Sequence, residues 1–94
     1  MMKLVISPAV REKIAAREIV QKDIEQCFEN ICGEFLIDTR EEHESDPPTL
    51  WFVGHTNNGR KLKIVFIPRD GNYVIRSAFP ANEKQIKLYD KYGK

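Results

Sequence analysis

Apolar positions change their period along this chain, and the change marks out its elements. Val10 and Ile14 lie four apart behind Ser7-Pro8, a capping serine with proline at the first helical position, and predict a helix from Pro8 to about Ala16. Val20, Ile24, Cys27, Phe28 and Ile31 keep helical spacing and predict a second helix from about Gln21 to Asn30, ended by Gly33. Arg17-Glu18-Ile19-Val20 breaks the phase of that stripe and predicts a joint between the two. Lys3 to Ser7 and Phe35 to Ile37 read as short strands.

Past Pro47-Pro48 the period falls to two. Leu50 to Thr56 reads as a strand, Asn57-Asn58-Gly59 as a tight turn and Arg60 to Ile67 as the return strand. Asp70-Gly71 marks the next turn, and Tyr73 to Ala78 completes a meander. In the return strand Leu62, Ile64 and Phe66 share one face, and Lys61, Lys63, Val65 and Ile67 share the other. Asn82, with Gln85 three residues on, is a capping box that opens a last helix carrying Ile86, Leu88, Tyr89 and Tyr92. The acidic segment Asp38 to Pro48 between the halves reads as an exposed loop. The predicted order is β-α-α-β-β-β-β-α, an α+β domain with its helices on one face of an antiparallel sheet.

Composition narrows this picture. Ninety-four residues, 41% of them apolar, make a single domain over 1–94 near the lower size limit for one core. No apolar run approaches the roughly 20 residues of a membrane span. Ahead of Ser7-Pro8 only three apolar residues run together, too few for a signal-peptide core, so a cytoplasmic protein is expected. Cys27 and Cys32 read as buried thiols of a reducing compartment. With His43 and His55 they lack the spacing of a zinc site, and no metal or other cofactor is expected.

The net charge of +1 hides a division. Residues 1–46 carry six Lys and Arg against eleven Asp and Glu; residues 47–94 carry nine against three. The chain is dipolar, able to meet an anion on one side and a cation on the other. Arg60, Lys61, Lys63, Arg69 and Arg76 form a band of cations on the meander, opposed there only by Asp70. Lysine as a point charge and arginine as a bidentate fork suit phosphate, and Trp51, Phe52, Tyr73 and Phe79 supply rings on which an unpaired base can stack. The competing reading of such a band is a solvated strand face. His55, at the end of its strand, is suited to general acid–base work near neutral pH, or is an ordinary surface residue. Tyr89 and Tyr92 are candidates to bind phosphate or carry a proton, or to pack the last helix with a wet hydroxyl. Glu41, Glu42, Glu44 and Asp46 read as a solvated turn. No nucleophile elbow, phosphate loop or dinucleotide fingerprint is present.

Three stretches in this order resemble the BrnT toxins of bacterial type II toxin–antitoxin systems, within the RelE-like superfamily. The first is Ser7-Pro8-Ala9, then Ile19 and a helix ending Cys27-Phe28, similar to the family's Asp-Pro-Ala, His-Gly-Val joint and helix ending in Phe. The second is Gly54-His55-Thr56-Asn57-Asn58-Gly59-Arg60-Lys61-Leu62, similar to Gly-x-Thr-x-x-Gly-Arg-x-Leu. The third is Ile75-Arg76-Ser77-Ala78-Phe79-Pro80-Ala81 with Tyr89 following, similar to Ile-Ser-Ala-Arg-x-Ala and a helical Tyr. Two departures matter for the chemistry: Arg17 stands where the family has His, and Phe79 where it has Arg. Arg76 is the candidate replacement, although strict alternation would turn it to the opposite side of the sheet.

The resemblance implies a RelE-like sheet and a metal-independent endoribonuclease that cleaves RNA to inhibit translation. It also implies a cognate antitoxin that neutralises it, in an assembly such as a heterotetramer. Arg60, His55, Arg76 and Tyr89 would be the catalytic residues, with Lys61, Lys63, Arg69 and Ser77 binding RNA phosphate. Two other readings stay open: a non-catalytic protein-binding module diverged from such toxins, favoured by Phe79, and a small hydrolase acting on another phosphate-bearing substrate.

Overall fold

A computed structural model describes residues 3–39 and 47–94. The order is β1 (Lys3–Val5), α1 (Pro8–Ala16), α2 (Gln21–Glu29), β2 (Leu36–Ile37), β3 (Leu50–His55), β4 (Lys61–Arg69), β5 (Asn72–Pro80) and α3 (Glu83–Tyr92). The five strands form one mixed sheet in the order β1-β5-β4-β3-β2. β1 runs parallel to β5, and every other neighbouring pair is antiparallel. The chain is thus an α+β fold with the predicted element order.

Local chemistry places most of the boundaries. The Ser7 hydroxyl accepts from the Val10 amide at 3.2 Å, with proline in the first turn of α1. The Asn82 and Gln85 side chains exchange bonds of 2.8 and 2.9 Å with each other's backbone amides at the start of α3. Asp70 and Gly71 both take positive φ, 53° and 77°, in a two-residue hairpin loop of the kind Asp-Gly favours.

α1 ends in a Schellman motif: the Ile19 amide donates to the Ile14 carbonyl and the Glu18 amide to the Ala15 carbonyl, both at 2.9 Å. Glu18 sits at φ 58°, a left-handed conformation that glycine adopts more cheaply. Ile14 and Ile19 are buried together beneath this joint. The phase break read from Arg17 to Val20 is this turn.

The helices do not lie on one face, as expected from sequence, but on both. Phe28 of α2 packs on Phe52 and Phe66, with ring centroids 4.8 and 5.2 Å apart. Tyr89 of α3 packs at 5.9 Å on Trp51, the residue before Phe52 on β3. Successive strand residues face opposite ways, so α3 covers the face away from α2. β4 is therefore buried from Leu62 through Ile67, as a strand covered on both sides must be.

β4 and β5 slip register once. Val65 pairs with Ser77 and Phe66 with Ile75, so Arg76 has no partner in β4. The bulge breaks the strict alternation read from the sequence, and it bends the strand and re-aims the extra side chain.

Of the two thiols expected to be buried, Cys27 is buried on α2, but Cys32 is exposed. His43, Glu41, Glu42, Glu44 and Asp46 lie outside the described residues.

Candidate nucleic-acid interface

Arg60 precedes β4 and reaches back across the fold. Its guanidinium donates to the Glu18 carbonyl at 2.7 Å and to the Arg17 carbonyl at 2.9 Å. These are the last carbonyls of the α1 turn, where a cation also meets the negative end of the helix dipole. Arg60 is expected from sequence as a catalytic residue, but its fork is spent on holding α1 against the hairpin.

Tyr89 has a comparable position. It is 1% exposed, and its hydroxyl donates to the Glu34 carbonyl at 2.8 Å. Burial, reinforced by nearby Cys32, Glu34 and Asp90, raises its pKa above the ordinary phenol value. The backbones of Gly33 and Gly93 approach so closely that a Cβ at either would come within 2.7 Å of the Tyr89 side chain. Tyr89 therefore packs α3 onto the sheet.

The remaining cations do not form one continuous band. His55 and Lys61 are direct partners across β3 and β4. Both are exposed, and together with Asn30, Cys32, Asp90 and Lys94 they line a polar hollow of about 40 Å³ on one flank of α3. The Asn30 amide fixes this corner by donating to the His55 carbonyl at 3.0 Å and to the Asn57 side chain at 2.9 Å.

Lys63 lies on the other flank. Its ammonium is 4.5 Å from the Trp51 ring centroid and 5.8 Å from that of Phe79, its cross-strand partner. The Arg17 guanidinium stands 5.7 Å from the same Phe79 ring and donates to the Ala78 carbonyl at 3.0 Å. Two cations and two rings thus adjoin, each pair within cation–π range; Arg17 is exposed and Phe79 half-buried, whereas Lys63 and Trp51 are buried beneath them, 5% and 7% exposed. Arg76 is exposed beside half-buried Ser77, two residues along β5 from Phe79. Arg69 is separate: it lies at the far end of β4, eight residues from Lys61 or about 26 Å along the strand.

Arg17 is the site residue that sequence reading missed. It is visible there only as a departure from the family pattern at 17, with Phe79 as the second departure. The two positions meet in space, with the Arg17 guanidinium beside the Phe79 ring. A cross-element contact of this kind has no signature in spacing.

Among the described residues a larger concavity, about 470 Å³, lies elsewhere, beside Phe28, Phe35 and Tyr73. Glu25 and Glu29 line it against one cation, Lys3, a balance that disfavours an anion. Among the described residues no His, Cys, Asp and Glu group could hold a metal ion, and no helix is long and apolar enough to cross a membrane.

Comparison with family models, curated proteins and solved structures finds no match to this chain. The likeness to BrnT toxins accordingly rests on the residues quoted for it.

Proposed function

We propose that the chain is a ribonuclease toxin that cleaves RNA without a metal and is held in check by a cognate antitoxin. The observation that carries this reading is the exposed Arg17 guanidinium beside the half-buried Phe79 ring, backed by the buried Lys63–Trp51 pair, with Ser77 and exposed Arg76 preceding Phe79 on β5. A guanidinium beside a ring on a rigid sheet suits a single strand's phosphate and base together. Glu18, in a left-handed conformation where the family pattern has glycine, is a second point of support.

The chemistry falls to His55 and Lys61. His55 takes the proton of a ribose 2′-hydroxyl as the 2′-oxygen attacks the adjacent phosphorus in line. The 5′-oxygen leaves as its bond to phosphorus breaks and takes a proton from solvent water, yielding a 2′,3′-cyclic phosphate and a 5′-hydroxyl end. Lys61, opposite His55, stabilises the charge that develops on the phosphoryl oxygens. Arg60 and Tyr89 support the site through the fold.

Purified protein incubated with RNA in excess chelator tests this. Cleavage with cyclic-phosphate ends is expected, slowed about 100-fold or more in His55→Ala with an unchanged melting temperature. Intact RNA, both free and ribosome-bound, would overturn it. The engagement of Arg60 and Tyr89 in the fold favours, as a second reading, a non-catalytic module that binds a protein partner. That reading predicts intact RNA in the same assay.

A further inference from the structure

Five large apolar residues are exposed among the described ones: Val5, Val20, Ile37, Leu88 and Tyr92. Three of them, Ile37, Leu88 and Tyr92, gather at one groove of about 340 Å³, where Leu36, Trp51, Thr39 and the opposite charges of Asp38 and Lys63 complete the lining. Ile37 is 62% exposed and Tyr92 60%. Isolated exposed apolar residues need no explanation, but a cluster in a concavity marks an interaction surface.

The charges around the cluster indicate what it meets. Lys84, Leu88 and Tyr92 lie four apart, one above another on α3, and Lys87 and Lys91 form the adjoining row. The Lys91 ammonium is 5.3 Å from the Tyr92 ring centroid. With Lys94 the helix and its end carry four lysines against two acids, Glu83 and Asp90. These acids pair with Lys87 at 3.2 Å and Lys94 at 3.0 Å in exposed ion pairs that bind weakly and are readily exchanged. The groove runs into the Trp51–Lys63 contact of the candidate interface.

We propose that α3 and this groove are the path of a single strand of RNA, with Tyr92 as a stacking platform for an unpaired base and Lys84, Lys87 and Lys91 following the phosphates. The proposal deepens the ribonuclease reading and rests on it. A ring standing clear of the surface engages a base face, which a duplex hides between its neighbours. The three lysines of α3, with Lys94 and Lys63, outnumber Asp38 in the groove and Glu83 and Asp90 on the helix, an excess that matches phosphate and disfavours a cationic protein segment.

The test is fluorescence anisotropy with a labelled single-stranded oligoribonucleotide and with the same strand in a duplex. The single strand should bind more tightly. Tyr92→Ala should weaken it about tenfold or more, and Tyr92→Phe, which keeps the ring, should restore it. Replacing Lys87 and Lys91 by Ala should weaken binding and flatten its salt dependence by about one to two counterions. Tyr92 is exposed, and melting curves verify that the variants fold. If wild type binds the single strand and Tyr92→Ala binds it equally well, the path lies elsewhere, the groove serves a protein instead, and the ribonuclease reading stands. Preference for the duplex overturns the single-strand assignment. Failure of the wild type to bind either form overturns this proposal together with the reading beneath it.

Discussion

Arg60 holds two backbone carbonyls from one guanidinium at a helix end whose cap is in the left-handed region. Removing it strips both carbonyls of their charged donor. Arg60→Ala should cost about 2 kcal/mol of stability, measured by denaturant unfolding, and Arg60→Lys should recover only part because lysine has no fork. An unchanged midpoint would mean that the bonds contribute nothing. Loss of activity in Arg60→Ala is therefore informative only beside a melting curve. Glu18→Gly should act in the opposite direction, gaining about 1 kcal/mol by relieving the left-handed strain. Burial, with Asp23 adding and Arg60 opposing, pushes the Cys27 thiol up from 9.0 to about 12. Between those values the unfolded chain releases a proton that the folded chain keeps. Stability is thus full below pH 9 and falls as pH rises towards 12, and Tyr89, also raised, acts in the same direction. Cys27→Ala should flatten the alkaline limb of a plot of unfolding free energy against pH, and an unaltered limb would contradict the assignment.

Elements differ in how far sequence reaches them. The caps at Ser7 and Asn82 and the Asp70-Gly71 turn were legible because each is decided within four residues. The joint at Arg17–Val20 was legible as a broken stripe. The bulge at Arg76 and the placement of α3 on the second face were not, because each is decided by packing between segments far apart in the chain. Lys61 and Lys63 illustrate the consequence for the site. Their shared face follows from alternation, but the helix that separates their surroundings does not. Gly54 shows the same dependence on tertiary approach: a Cβ there would lie 2.9 Å from both the Cys27 carbonyl oxygen and Cβ, and 2.8 Å from the Phe52 ring. Gly54→Ala must push α2 off β3 and should cost about 1–3 kcal/mol. Retention of the wild-type midpoint would show that the two elements pack more loosely than described.

At the scale of the whole molecule, the charge division seen in composition is only in part a division in space. α2 carries Glu25 and Glu29 beside the 470 Å³ apolar hollow, with Lys3 as its one cation, while exposed Arg17 and Lys91 stand by the rings of Phe79 and Tyr92, with Asp38 in the adjoining groove. An anionic polymer has a favourable approach on the α3 side and an unfavourable one on the α2 side. The two sides of one small sheet thus offer different partners different chemistry. The proposed ribonuclease function requires RNA on the α3 side. Amide chemical shifts, followed during titration with a short single-stranded oligoribonucleotide, test it most directly. Shifts should concentrate at Lys61 to Val65, Ser77 to Phe79 and along α3, and weaken with added salt. Shifts centred on α2 and β1, or none at saturating RNA, would contradict it.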